Sequence, residues 1–244
     1  MKNLVTLVFT LALSLSLHAQ FNDSTFYMLR YATTGIINRT NDASSYTIAN
    51  ALKLSVSKKL IVLNSTSNWI YGKQQSRLIN NDFTTALDFN RYLNENKKFY
   101  YWGLGTYESN YSLKVNYRTQ MGIGVAYSPI DTTNFYINFS DGILYEFADL
   151  KLTDATSDVY RTFRNSFRFR LRYVYNERLI IDGVFFLQNG LKQASDYIIN
   201  STTTLSFKLM KWVSLTSSLN YNKVNRNNRE NLLLTFGITA EKYF

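Results

Sequence analysis

Residues 115–128 read VNYRTQMGIGVAYS. Val115, Tyr117, Thr119, Met121, Ile123, Val125 and Tyr127 share one parity. Asn116, Arg118, Gln120, Gly122, Gly124, Ala126 and Ser128 share the other. A period of two is the signature of a strand, because successive side chains point to opposite faces. Here the apolar face is bracketed by two tyrosines ten residues apart. At about 3.3 Å per residue and a tilt near 40°, that spacing projects to roughly 25 Å, the height of a lipid-facing band between two aromatic girdles. The strand therefore reads as one that crosses a membrane.

A second stretch, RTFRNSFRFRLRYVY at 161–175, repeats the pattern with a stronger contrast. Phe163, Phe167, Phe169, Leu171, Tyr173 and Tyr175 fall on one face, and Arg164, Arg168, Arg170 and Arg172 on the other. In a soluble sandwich the arginines would face water and the aromatics a core. In a membrane barrel the aromatics would face lipid and the arginines a wet interior.

Similar segments recur along the chain, at about 24–37, 43–56, 59–72, 78–92, 97–109, 113–128, 133–148, 158–175, 178–190, 196–209, 211–224 and 230–244. No linker or change of composition divides them. The expected fold is all-β: one antiparallel up-and-down transmembrane β-barrel of about twelve strands over residues 20–244, with both chain ends on the periplasmic side. Short connections are expected around Lys58 and at 94–97, 129–133, 176–178 and 210–211. Longer polar loops are expected at 38–42, 72–77, 108–112, 149–157, 189–195 and 223–230.

The ends agree with export to an outer membrane. Lys2 followed by the apolar run Leu4 to Leu17 and the sequence LHA ending at Ala19 reads as a cleavable signal peptide over 1–19. No later run approaches the roughly 20 apolar residues of a membrane helix. Removing a leader that carries Lys2 lowers the formal net charge from +10 to +9. The basic residues are spread over many strands, which fits a solvated surface and interior better than a nucleic-acid site. His18 is the only histidine and the chain has no Cys. Ser-His triads, cysteine nucleophiles and ordinary zinc sites are thereby excluded from the mature chain, and no cofactor is expected.

The final stretch, NLLLTFGITAEKYF at 231–244, resembles the C-terminal signal of bacterial outer-membrane proteins, with Lys242 as a departure. Phe236, Ile238 and Phe244 are its candidate insertion residues, and the barrel-assembly machinery and outer-membrane lipid the implied partners. Asn80 to Ser128, NNDFTTALDFNRYLNENKKFYYWGLGTYESNYSLKVNYRTQMGIGVAYS, is similar to the central part of the YdiY-like, salt-induced outer-membrane proteins, also known as domain of unknown function 481. The shared features are a strand ending in Asp88 and Tyr92, a tight polar turn, then YYWGLGTYE and YRTQMGIGVAYS. TTGIINRTND resembles the family's Gly-Asn-Thr loop, interrupted by Ile36 and Ile37. The resemblance implies an outer-membrane barrel and transfers no catalytic or ligand residue.

Candidate interior residues are Arg118, Glu146, Arg164, Arg168, Arg170, Arg172 and Asp182, joined by Arg30, Asp82, Asp88 and Lys208. A turn at Asn176–Arg178 that pairs Tyr175 with Leu179 would set Arg172 opposite Asp182 and Tyr173 opposite Ile181. Girdle candidates are Trp69 and Tyr71 at the loop end, with Tyr117. At the turn end they are Tyr100, Trp102, Tyr127, Tyr173 and Tyr175. Asp141 interrupts an apolar face, and a bulge near Ser140–Gly142 would turn it inward. Three functions follow: a non-enzymatic barrel, either a narrow pore with a positive interior or an envelope-stress structural component; a barrel enzyme without His or Cys; and a soluble secreted barrel binding an apolar ligand.

Overall fold

The computed structural model describes residues 26–153 and 156–244. The expected signal peptide lies outside the described residues. Twelve antiparallel strands close into one barrel in sequence order. They are β1 (Tyr27–Arg39), β2 (Ser44–Lys58), β3 (Ile61–Gln74), β4 (Arg77–Tyr92), β5 (Phe99–Asn110), β6 (Val115–Asp131), β7 (Phe135–Lys151), β8 (Ser157–Tyr175), β9 (Leu179–Gly190), β10 (Tyr197–Lys208), β11 (Val213–Val224) and β12 (Arg229–Tyr243). β1 pairs with β12, from Met28 opposite Tyr243 to Gly35 opposite Phe236. Closure leaves no edge strand, so every ladder has a partner inside the molecule. Tyr27 and Phe244 exchange backbone hydrogen bonds and stack their rings. Both ends of the described chain therefore lie on the rim that carries the turns after β2, β4, β6, β8 and β10.

Alternation sets the two surfaces. Met121, Ile123 and Val125 are 64–74% exposed, and Leu, Ile, Val, Phe, Tyr and Trp side chains are exposed on every other strand but β9, whose outward Ile181, Phe185 and Leu187 are half-buried. Such a continuous apolar belt is far larger than the patches a water-soluble monomer tolerates, and it fits a bilayer. Trp69, Tyr127, Tyr173 and Tyr175 are exposed on this outer surface. Tyr71 meets Trp69 and Tyr46 there, and Tyr117 meets Phe147.

Several expectations are corrected. β2, β4, β6, β7 and β8 run further than the sequence pattern indicates, and β5, β9, β10 and β11 stop short of it. GKQQSR shrinks from a long loop to a two-residue turn, with Gln75 and Ser76 both at positive φ. That conformation matches the twist of a hairpin, so pairing continues past the apolar belt into water. The two rims consequently differ less in loop length than expected. No bulge forms at Ser140–Gly142. The β6–β7 register shifts between Val115 and Tyr117 and between Tyr127 and Ile130, away from Asp141, which stays on the outer face and accepts a hydrogen bond from Asn165.

Tyr100 and Trp102 point inward rather than into a girdle; they are 5% and 8% exposed. The physical reason is space. Gly124 and Gly142 face the interior, and a Cβ at either would overlap the Trp102 ring. The indole fills that gap and donates to the Val125 carbonyl. Phe99 and Tyr101, of the opposite parity, are exposed instead.

Candidate functional site

The barrel interior is the candidate site, and its two halves differ. Even-numbered residues of β8 point inward, so Arg164 stands towards the loop rim and Arg172 towards the turn rim. Arg164 and Glu146 have no exposed surface. Arg164 donates to Glu146 at 2.8 Å and to the carboxylate and carbonyl of Asp196, each at 2.9 Å. Glu146 also accepts from Tyr160 and Gln120 and pairs with Arg118, which reaches Glu108 at 3.0 Å. Buried ions persist only where opposite charge and hydrogen bonds replace water, and here both are supplied together.

The loops complete that network. Arg226, in the one-turn 3-10 segment Asn225–Asn227, binds Asp158 at 2.6 Å and Asp196 at 2.8 Å. Its guanidinium lies 3.7 Å from the centre of the Tyr160 ring. Asn227 donates to the Leu113 carbonyl and Asn231 to the Ser112 hydroxyl, which ties β11–β12 to the connection after β5 across the mouth. Leu113, Val115, Ala148, Leu150, Tyr160 and Val224 form an apolar cluster beneath. Among the described residues, the connections 40–43 and 75–76 bond only to each other and to the start of β2, so they take no part in this cap.

The turn half carries more positive charge than it neutralises. Arg168 donates to Tyr100 and Asn138, and Arg170 pairs with Asp182 at 3.0 Å. Arg30 approaches Glu241 only to 4.0 Å. Lys53 and Lys208 share the inward parity of β2 and β10. Arg172 and Lys208 have no ion pair among the described residues. Facing this wall are small polar side chains, among them Thr66, Asn68, Thr84, Thr202, Ser218 and Asn220. Asn68 points inward from mid-strand yet is exposed, so water reaches this side of the interior. A cavity opens at the turn rim between β1, β8, β9, β10, β11 and β12.

Arg118, Glu146, Arg164, Arg168, Arg170, Arg172 and Asp182 thus all face the interior, in two groups rather than one positive wall. Arg172 stands opposite Asp182 and Tyr173 opposite Ile181, the register expected from the turn at Asn176–Arg178. The ion pair, however, forms diagonally from Arg170. Asp82 takes Asn80 and Ser112, and Asp88 takes Asn64 and Asn90, so both are satisfied by neutral donors. Sequence reasoning missed Asp196, Gln120, Gln188, Tyr160 and Asn138. Gln120, Tyr160 and Asn138 share inward parity with the arginines, a signal that was available. Asp196 sits where a loop meets β10, where alternation is silent. Among the described residues no group of three His, Cys, Asp or Glu side chains is placed to hold a metal ion.

Among solved structures, the chain is similar to the translocator domain of the autotransporter NalP from Neisseria meningitidis. The TM-score is 0.52 at 9% identity, over 91% of this chain and 90% of that one. It is also similar to the COG4313 outer membrane channel from Pseudomonas putida F1, with a TM-score of 0.51 at 10% identity over 95% and 100% of the two chains. At such identities the likeness is one of fold, that of outer-membrane β-barrels. No curated protein matches. The model of the family described as "Protein of unknown function, DUF481" matches residues 32–240, and the chain belongs to that family.

Proposed function

We propose that this protein is a non-enzymatic outer-membrane barrel that acts as a narrow, anion-preferring channel. The observation that carries this reading is the turn half of the interior. There Arg30, Lys53, Arg168, Arg170, Arg172 and Lys208 outnumber Asp88, Asp131, Asp182 and Glu241, beside a wet wall of hydroxyls and amides. An uncompensated positive surface within a low-dielectric wall concentrates anions and repels cations. The interior carboxylates are held by arginine or amide donors, which suits a charged wall better than proton transfer. The loop-end network narrows the path on the β4–β12 side, where Asp82 holds Ser112, and the β1–β3 side stays outside its cap. In this reading residues 1–19 are a cleaved leader, and the rim bearing the chain ends faces the periplasm. Phe236, Ile238 and Phe244 then act as the assembly signal for the barrel-assembly machinery.

Two experiments test it. Purified protein in a planar bilayer is expected to give small, discrete conductance steps with anion preference; a silent bilayer at all voltages leaves the interior charges only a bracing role. Deleting Phe244 is expected to lower the heat-modifiable, folded form in the membrane fraction while export continues. Unchanged assembly would remove the terminal residue from the signal.

A further inference from the structure

The turn-rim cavity has a chemistry more specific than a general preference for anions. It is lined by Arg30, Arg172, Lys208 and Lys211, by Asp182 and Glu241, by the hydroxyls of Ser206, Ser214 and Thr239, and by Trp212. The ion pairs of the described residues engage Arg30 with Glu241 and Asp182 with Arg170. Arg172, Lys208 and Lys211 are left without one, whereas the arginines of the loop half each hold a carboxylate. Cations beside a cavity that hold no carboxylate are where a ligand's acceptor gains most.

Charge alone would fit any small anion. The two carboxylates argue against a compact inorganic one, because they would repel it, and the acceptor capacity they keep beside Arg170 and Arg30 would find no donor on it. Ser206 and Thr239 are held in a chain of hydroxyls through Thr216. That chain fixes their oxygens in the wall joining β10, β11 and β12. Trp212 adds an apolar indole face from the turn before β11. Guanidinium and ammonium groups for a carboxylate, carboxylates and hydroxyls for several OH groups, and an indole for C–H bonds together describe one kind of solute.

We infer that the cavity is a binding subsite for polyhydroxylated carboxylates, the class of acidic sugars exemplified by a uronic acid. Arg172 takes the carboxylate, Asp182 and Glu241 accept from ring hydroxyls, and Trp212 covers a ring face. The inference rests on the channel reading for its place on a transport path, but binding can be measured without any current.

The test uses the purified barrel in detergent micelles, with D-glucuronate, D-glucose and inorganic phosphate as probes in separate calorimetric titrations. Glucuronate is expected to bind about tenfold or more tightly than either other probe, since only it uses both halves of the donor–acceptor set. Arg172→Gln is expected to abolish the preference over glucose, and Trp212→Leu to weaken glucuronate while leaving the phosphate signal unchanged. Heat-modifiable migration on gels checks that each variant keeps its barrel. Equal binding of glucuronate and glucose, or phosphate binding as tightly as glucuronate, would overturn the subsite. Anion-selective current without glucuronate preference sinks this inference and spares the channel. Glucuronate preference in a barrel that never conducts does the reverse.

Discussion

Arg164 and Arg172 lie on the same face of the same strand, eight residues apart, yet they differ in kind as well as in place. Arg164 has no exposed surface and four oxygen partners, from Glu146, the Asp196 carboxylate and carbonyl, and the Tyr160 hydroxyl. Arg172 faces a cavity and has no ion pair among the described residues. The residue type is the same, so the difference comes from what surrounds it. Near the loop rim, β7 supplies a carboxylate and the connection before β10 folds another inward. Near the turn rim, the one adjacent carboxylate, Asp182, is taken by Arg170. An arginine in a barrel is thus a brace where acids converge on it and a ligand site where they do not.

The largest expected effect comes from breaking the brace. Glu146→Ala leaves Arg164 and Arg118 buried with too little negative charge, at a cost of about 3–5 kcal/mol. In the turn half, Asp182→Asn removes a partner from a pair whose arginine is 32% exposed, and water makes up much of the loss. Its cost is about 1 kcal/mol. Urea midpoints of barrels refolded in lipid vesicles measure both. Equal losses would mean that the two halves are braced alike.

A smaller effect is expected at the boundary between the halves. Gly124→Val sets a side chain against the Asp141 carbonyl as well as the Trp102 ring, so the β6–β7 ladder must give and the ring leave its gap, an overpacking that costs about 1–3 kcal/mol. Indole fluorescence should shift to the red as Trp102 meets water. An unchanged spectrum and midpoint would show that the gap tolerates more volume than its geometry allows.

How far the sequence revealed this arrangement depends on how each residue announces itself. Parity suffices for β6 and β8, because their two faces differ sharply in polarity. It fails in β5, where Phe99, Tyr100, Tyr101 and Trp102 put aromatics on both faces and either set can pose as a girdle. The resolving signal lay on other strands. Gly124 and Gly142 share the inward parity and leave a volume that Tyr100 and Trp102 fill. Asp196 and Arg226 lie at loop–strand junctions, where no period exists to place them, so the cap over the loop rim was not legible. The turn at Asn176–Arg178 was, because a one-residue slip would set polar against apolar along the whole β8–β9 ladder. Asp141 is a local conflict that the fold leaves in place, with Asn165 as its partner.

The smallest effect is expected outside both halves. Lys223 and Glu230 pair at 3.7 Å on the loop rim, with the Glu230 side chain 61% exposed. Glu230→Gln should move the urea midpoint by no more than about 0.5 kcal/mol, since water and salt screen such pairs. A larger shift would show that the rim is coupled to the buried network beneath it.

The most direct test of the divided interior is the zero-current potential of single barrels across a tenfold potassium chloride gradient, for the native chain and for the Arg168→Glu/Arg170→Glu double variant. The account predicts a potential of anion-preferring sign for the native barrel, and a reversed or near-zero one for the variant with its heat-modifiable fold intact. Identical potentials for the two would contradict it, because the turn-half arginines would then lie off the path of the ions.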